Sequence, residues 1–162
     1  MSVQLSFSHV GLFVNDLPKM VDFYTRILGL VVSDRDVRED GSEICFMTGD
    51  PREHHQVVFC TGRPANLQYN MIQQISFRAP SLAVLRETYR KLTKEPIEEL
   101  GPVTHGNAIS TYFRDPEGNR LEVFATVEEA DPEHRSNRPI DLDQDLEGII
   151  AQASGRVPAA TH

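Results

Sequence analysis

Two stretches of the chain put ionisable side chains where strand alternation turns them away from a packed layer. In FSHVGLFV, residues 7–14, Phe7, His9, Gly11 and Phe13 share one face, and Ser8, Val10, Leu12 and Val14 share the other. The apolar face is what a helix packs against, so His9 is expected on the opposite, concave face, with Gly11 leaving space beside it. In NRLEVFA, residues 119–125, Glu122 and Phe124 turn away from Leu121, Val123 and Ala125. A carboxylate on the inner face of a largely apolar strand costs several kcal/mol unless it is paired or bound to a cation. A metal ion would satisfy it. A third stretch, DPREHHQVV, offers His54 and His55 ahead of Val57. By alternation His55 shares the inner face and His54 points away, unless the pair belongs to a solvated turn. His9, His55 and Glu122 together have the composition of the two-histidine, one-carboxylate face that holds non-haem Fe(II) with positions open for O2 and substrate. His105, in VTHGNAISTYF, is an imidazole able to move protons near neutral pH.

Composition bounds the partners of such a site. The chain has 162 residues, 40% of them hydrophobic, enough to bury the core of one domain. Its formal net charge of −8, without a Lys/Arg-rich stretch, disfavours nucleic acid and anionic membranes. No apolar run is long enough to span a bilayer. The N-terminus lacks the basic-then-apolar pattern of a signal peptide, so a cytoplasmic protein is expected. Cys45 and Cys60 form no CxxC and read as reduced core residues.

The elements that must position these residues recur in one order. Residues 5–14 read as a strand, and Asp16 caps a helix over 17–28 whose Leu17, Met20, Val21, Phe23, Tyr24 and Ile27 follow helical spacing up to Gly29. LVVSDRDV, EICFMTG and QVVFCTG follow as short strands. From Met71 the order restarts, with MIQQISFRA as a strand, Ser81 as a cap, SLAVLRETYRKL as a helix, and strands near 98–104, 108–113 and 120–127. Sliding the chain over itself by 65 residues superimposes His9 on Gln74, Leu17 on Leu82, Met20 on Leu85 and Tyr24 on Tyr89. The same shift places Asp50-Pro51 on Asp115-Pro116 and VVFCT on EVFAT. The chain is therefore read as an α+β protein of two tandem βαβββ modules, 5–62 and 71–127, within one domain over 1–127. An acidic C-terminal arm follows over 128–162. By the same shift Gln74 stands opposite His9, and Val57, which cannot coordinate, stands opposite Glu122.

SHVGLFVNDLPKMVDFYTRILGL and YFRDPEGNRLEVF resemble the two signature stretches of the vicinal oxygen chelate superfamily, the glyoxalase, bleomycin-resistance and extradiol-dioxygenase group. The resemblance covers about residues 5–126. It implies two curled mixed sheets facing each other around a cupped site for a divalent metal, with His9 as first ligand and Glu122 as last. The family's strand-five ligand is most often histidine, and this chain supplies Gln74. A glyoxalase class also uses glutamine, although an amide is a weaker ligand for iron or zinc than imidazole. The metal set is thus His9 and Glu122 with His55 or Gln74. Tyr112, ten residues before Glu122, is similar to the pocket tyrosine of the extradiol enzymes, and His105 would act beside it at the pocket mouth.

The resemblance implies a metal-dependent enzyme acting on small vicinal-oxygen substrates. The first reading is an Fe(II) extradiol dioxygenase of the small catechol-2,3-dioxygenase kind, acting on an aromatic diol. A glyoxalase I-like lyase or epimerase using Mn, Ni or Zn is the second, and a metal-free antibiotic-binding protein of the bleomycin-resistance type is the third. A homodimer is expected by analogy with the family.

Overall fold

Asp16 begins the first helix as its type predicts, its carboxylate accepting the Lys19 N–H at 3.0 Å, with Pro18 in the first turn where a missing N–H costs nothing. Gly29 ends it in the left-handed conformation, φ 72°, where any Cβ would be strained. The structure is a computed structural model and describes residues 6–66, 72–127 and 138–156. Two units are present, Met1–Asn70 and Met71–His162.

The first unit comprises β1 (Val10–Val14), α1 (Leu17–Leu28), β2 (Val31–Val37), β3 (Glu43–Thr48) and β4 (Val57–Thr61). Its sheet runs β1-β4-β3-β2, with β1 parallel to β4 and the other neighbours antiparallel. Leu12 and Val14 are buried, while Gly11 and Phe13 are exposed, as alternation requires. Leu17, Met20, Val21, Phe23, Tyr24 and Ile27 form the buried stripe of α1, and the Tyr24 ring meets Phe59 edge-on at 4.8 Å.

The second unit comprises β5 (Ile75–Arg78), α2 (Leu82–Leu92), β6 (Gly101–Thr104), β7 (Ala108–Arg114), β8 (Arg120–Thr126), β9 (Arg138–Pro139) and α3 (Leu146–Ala153). Sheet order is β5-β8-β7-β6-β9, so the first four strands repeat the topology of the first unit and β9 is an addition. Ser81 caps α2 by accepting the Val84 N–H. The arm folds onto this unit. Residues of β9 pair with Val103 and Thr104, and Ile140, Leu142, Ile149 and Ala153 are buried. Arg86 on α2 donates to the carbonyls of Leu142 and Asp143 at 3.1 and 2.9 Å.

Two expected strands are shorter than their apolar patterns. The β1 ladder begins at Val10, whose N–H meets the Gln56 carbonyl, because the partner strand β4 begins only at Val57. His9 therefore immediately precedes the strand rather than standing within it, and Gln74 likewise immediately precedes β5. Leu5 and Met71, included in the expected strands, lie outside the described residues.

The ladders repeat the 65-residue shift in the hairpins but not in the parallel pairs. In the first unit Gly11 pairs with Val58, and in the second Ser76 pairs with Glu122. Gly11 and Ser76 correspond by the 65-residue shift, so the two parallel ladders are offset by one residue, while the hairpins keep the shift, Met47 pairing with Val57 as Tyr112 pairs with Glu122.

Candidate metal and substrate site

The tight turn between β7 and β8 sets the register on which the second unit's polar face depends. Asp115, only 4% exposed, accepts the N–H groups of Glu117 and Asn119 at 3.0 and 2.9 Å and the Asn119 amide at 2.7 Å. Gly118 turns the chain at φ 82°. The hairpin then places Tyr112 directly opposite Glu122 on one side, and the parallel strand β5 places Ser76 opposite it on the other.

Glu122 is 8% exposed and held entirely by neutral donors. The Ser110 hydroxyl donates to Oε1 at 2.7 Å, while the Ser76 hydroxyl and the Gln74 amide donate to Oε2 at 2.6 and 2.9 Å. Among the described residues no guanidinium or ammonium pairs with it. Burial pushes the Glu122 carboxyl up, but the hydrogen bonds of Ser76, Ser110 and Tyr112, with the positive charge of His105, outweigh it and hold the group below the ordinary carboxylate range. It is a buried anion with no guanidinium or ammonium beside it among the described residues, an arrangement that a bound cation would complete.

Beside it the Tyr112 hydroxyl lies 3.0 Å from Nε2 of His105. Burial, then the neighbouring Glu122, raise the tyrosine above its usual value, so the phenol stays protonated through the neutral range. Gln74, Glu122, Tyr112 and His105 are thus brought together within the second unit. Ser76 and Ser110, which carry much of the hold on Glu122, were not singled out by sequence. The signal was present, since Ser76 lies two residues from Gln74, and Ser110 two from Tyr112, on the same strand faces.

In the first unit His9 and His55 are together, their rings meeting edge-on with centroids 4.3 Å apart. His9 is exposed, with Nδ1 3.3 Å from the Ser8 hydroxyl. His54 does not point away from its neighbour as alternation predicts. Both residues precede β4, where strand geometry does not apply, and both rings lie against Phe46, at 5.5 and 5.1 Å. Their Nδ1 atoms are 2.8 Å apart, and Nε2 of His54 is 3.7 Å from Asp34. Burial, then the charges of His9 and His54, lower His55, which favours the neutral imidazole that metals bind. Among the described residues no three His, Cys, Asp or Glu side chains form a metal-binding group on their own. Taken unit by unit, the donor types are ones a divalent transition metal accepts: adjacent imidazoles in the first, an ionised carboxylate and an amide in the second.

The model of the Glyoxalase/Bleomycin resistance protein/Dioxygenase superfamily matches residues 6–123. Biphenyl-2,3-diol 1,2-dioxygenase 3 of Rhodococcus globerulus is 35% identical over 139 residues, covering 80% of this chain and 70% of that protein. Lactoylglutathione lyase of Escherichia coli O157:H7 is 26% identical over 127 residues, 76% of this chain and 92% of that one. Among solved structures, the fosfomycin resistance protein FosX of Listeria monocytogenes, complexed with Mn(II) and sulfate, aligns with a TM-score of 0.59 at 20% identity. That alignment covers 80% of this chain and 98% of FosX. The chain belongs to the glyoxalase, bleomycin resistance and dioxygenase superfamily, the vicinal oxygen chelate fold expected from its two signature stretches. No helix among the described residues is long and apolar enough to cross a membrane.

Proposed function

We propose that this protein is a divalent-metal enzyme whose reaction is extradiol cleavage of a catechol-type aromatic diol, with Fe(II) as the metal. The observation that carries the reading is Glu122, an ionised carboxylate buried among neutral donors. Glu122 and His9 would hold the metal, with His55 or Gln74 as third ligand. The bound ion would supply Lewis acidity toward two vicinal oxygens and a place for O2. Ring cleavage by this route places both oxygen atoms of O2 in the product and needs no external reductant. The protein's own contribution is proton management. Tyr112 donates a hydrogen bond to a substrate oxygen, and His105, at 3.0 Å, accepts or returns the proton released as the diol ionises. The likeness to the Rhodococcus dioxygenase supports this choice of reaction.

Gln74 favours a second reading. Its amide nitrogen is engaged by Ser76 and Glu122, which turns its oxygen toward the role of ligand and suits a glyoxalase-type isomerisation or lyase reaction on another metal. The test is metal analysis of anaerobically purified protein, followed by Fe(II) and a catechol panel, watched for the yellow ring-cleavage product. Colour with iron supports the first reading, and another bound metal without colour supports the second. Protein that takes up no metal sinks both and leaves a binding protein. Separate His55→Ala and Gln74→Ala variants identify the third ligand by which of them loses metal.

A further inference from the structure

Two arginines face each other across the β7–β8 hairpin. Arg114 and Arg120 are directly paired in the ladder, so both emerge on the face that carries Tyr112 and Glu122. Like charges directly opposite one another on neighbouring strands are unfavourable. Only one of the two is neutralised. Arg114 donates to Glu99 at 2.9 Å and to the Gly118 carbonyl. Glu99 meets it from φ 59°, a left-handed conformation that no other described non-glycine residue adopts. Arg120 has no carboxylate and no hydrogen-bond acceptor among the described residues. Its guanidinium carbon lies over the Tyr112 ring, 4.7 Å from the centroid, a cation–π contact that occupies none of its N–H donors, which a planar anion can use.

The position is as telling as the missing partner. Arg120 and Glu122 are two residues apart on one strand face, about 7 Å along β8, roughly the span of an aromatic ring with its substituent. Tyr112 lies between the two functions, with its hydroxyl on His105 and its ring under the guanidinium.

We infer that Arg120 is a specificity-determining residue that receives an anionic substituent, a carboxylate above all, on the aromatic diol. The inference rests on the proposed diol substrate and narrows it to acidic catechols. The guanidinium binds the carboxylate bidentately while the vicinal oxygens lie toward Glu122 and Tyr112.

The experiment compares catechol with 3,4-dihydroxybenzoate and 3,4-dihydroxyphenylacetate on the iron-loaded full chain, by turnover and by calorimetric binding. Wild-type protein should favour the acidic compounds over catechol by about 10- to 100-fold, the worth of charge-assisted hydrogen bonds to one group. Arg120→Gln should collapse that ratio toward one, Arg120→Lys should keep part of it, and Arg90→Gln, an equal charge loss on the exposed face of α2, should leave it intact. A wild-type protein that prefers catechol, or an Arg120→Gln variant that weakens all compounds equally, overturns the inference while leaving the diol reading standing. If no compound is turned over, the diol reaction fails by itself. Binding of the acidic compounds that Arg120→Gln abolishes would then still support the anion site, and equal binding of all three would overturn it.

Discussion

Glu122→Gln tests the centre of the argument because it removes charge with almost no change of shape. In the metal-free protein its effect on folding should be small. The carboxylate loses charge-assisted bonds from Ser110, Ser76 and Gln74, each worth about 1.5–3 kcal/mol against about 0.5–1.5 for a neutral bond. The variant in turn no longer buries an anion, whose desolvation opposes those bonds. The two effects are of similar size, so metal-free stability should change by no more than about 2 kcal/mol. Metal binding is another matter. A ligand present at 100 times its dissociation constant stabilises the folded chain by about 2.7 kcal/mol. For a chain of this size that is about 5–10 °C in Tm. Thermal melts with and without chelator, beside elemental analysis, give the comparison. Wild-type protein should carry close to one metal ion per chain and lose those degrees to chelator. Glu122→Gln should carry almost none and melt at one temperature in both conditions. A variant that keeps stoichiometric metal, or a wild-type melt indifferent to chelator, refutes the reasoning that the buried anion exists for a cation.

Further outcomes follow from neighbouring features. Because the Glu122 carboxyl titrates below its ordinary value of 4.5 in the folded protein, its contribution is complete above that pH and lost as pH falls through the lower folded value. Metal-free melts between pH 6 and about 3 should show that acid limb, and Glu122→Gln should flatten it. Tyr112→Phe removes the partner of His105 and should lower kcat/KM by about 100-fold or more with metal content unchanged, measured by steady-state kinetics beside elemental analysis. Leu142→Ala opens a cavity under the arm, where the side chain is fully buried, and should cost about 2–5 kcal/mol in denaturant unfolding. A loss under about 1 kcal/mol would mean that the arm contributes little to the second unit.

Most of the architecture was legible because it was written twice. The helices are fixed by apolar spacing and by caps at Asp16, Gly29 and Ser81, and both modules show the same strand order. Glu122 was legible because alternation on a strand flanked by partners on both sides leaves no freedom of face. The histidines were harder. His9, His54 and His55 lie just outside the ladders, where period-two reasoning no longer applies, and contact with Phe46 decides the orientation of His54 and His55 instead. The one-residue offset between the two parallel ladders was invisible because the hairpins and the Asp-Pro pairs still align. Arg120 escaped notice because its significance depends on Arg114 opposite, a pairing that only the hairpin register reveals.

The two sheets protect their flanks by different means. In the first, β2 lies at the end of the order and carries Asp34, Arg35 and Asp36, with an irregular register between Val32 and Asp34, features that discourage another chain from adding a strand. The corresponding strand of the second module, β6, reads GPVT and has no charge at all. Residues of β9 occupy its free side instead. The arm thus lets the second module dispense with a charged border, and a protein shortened before Arg138 would present the bare backbone donors and acceptors of β6 as a template for self-association.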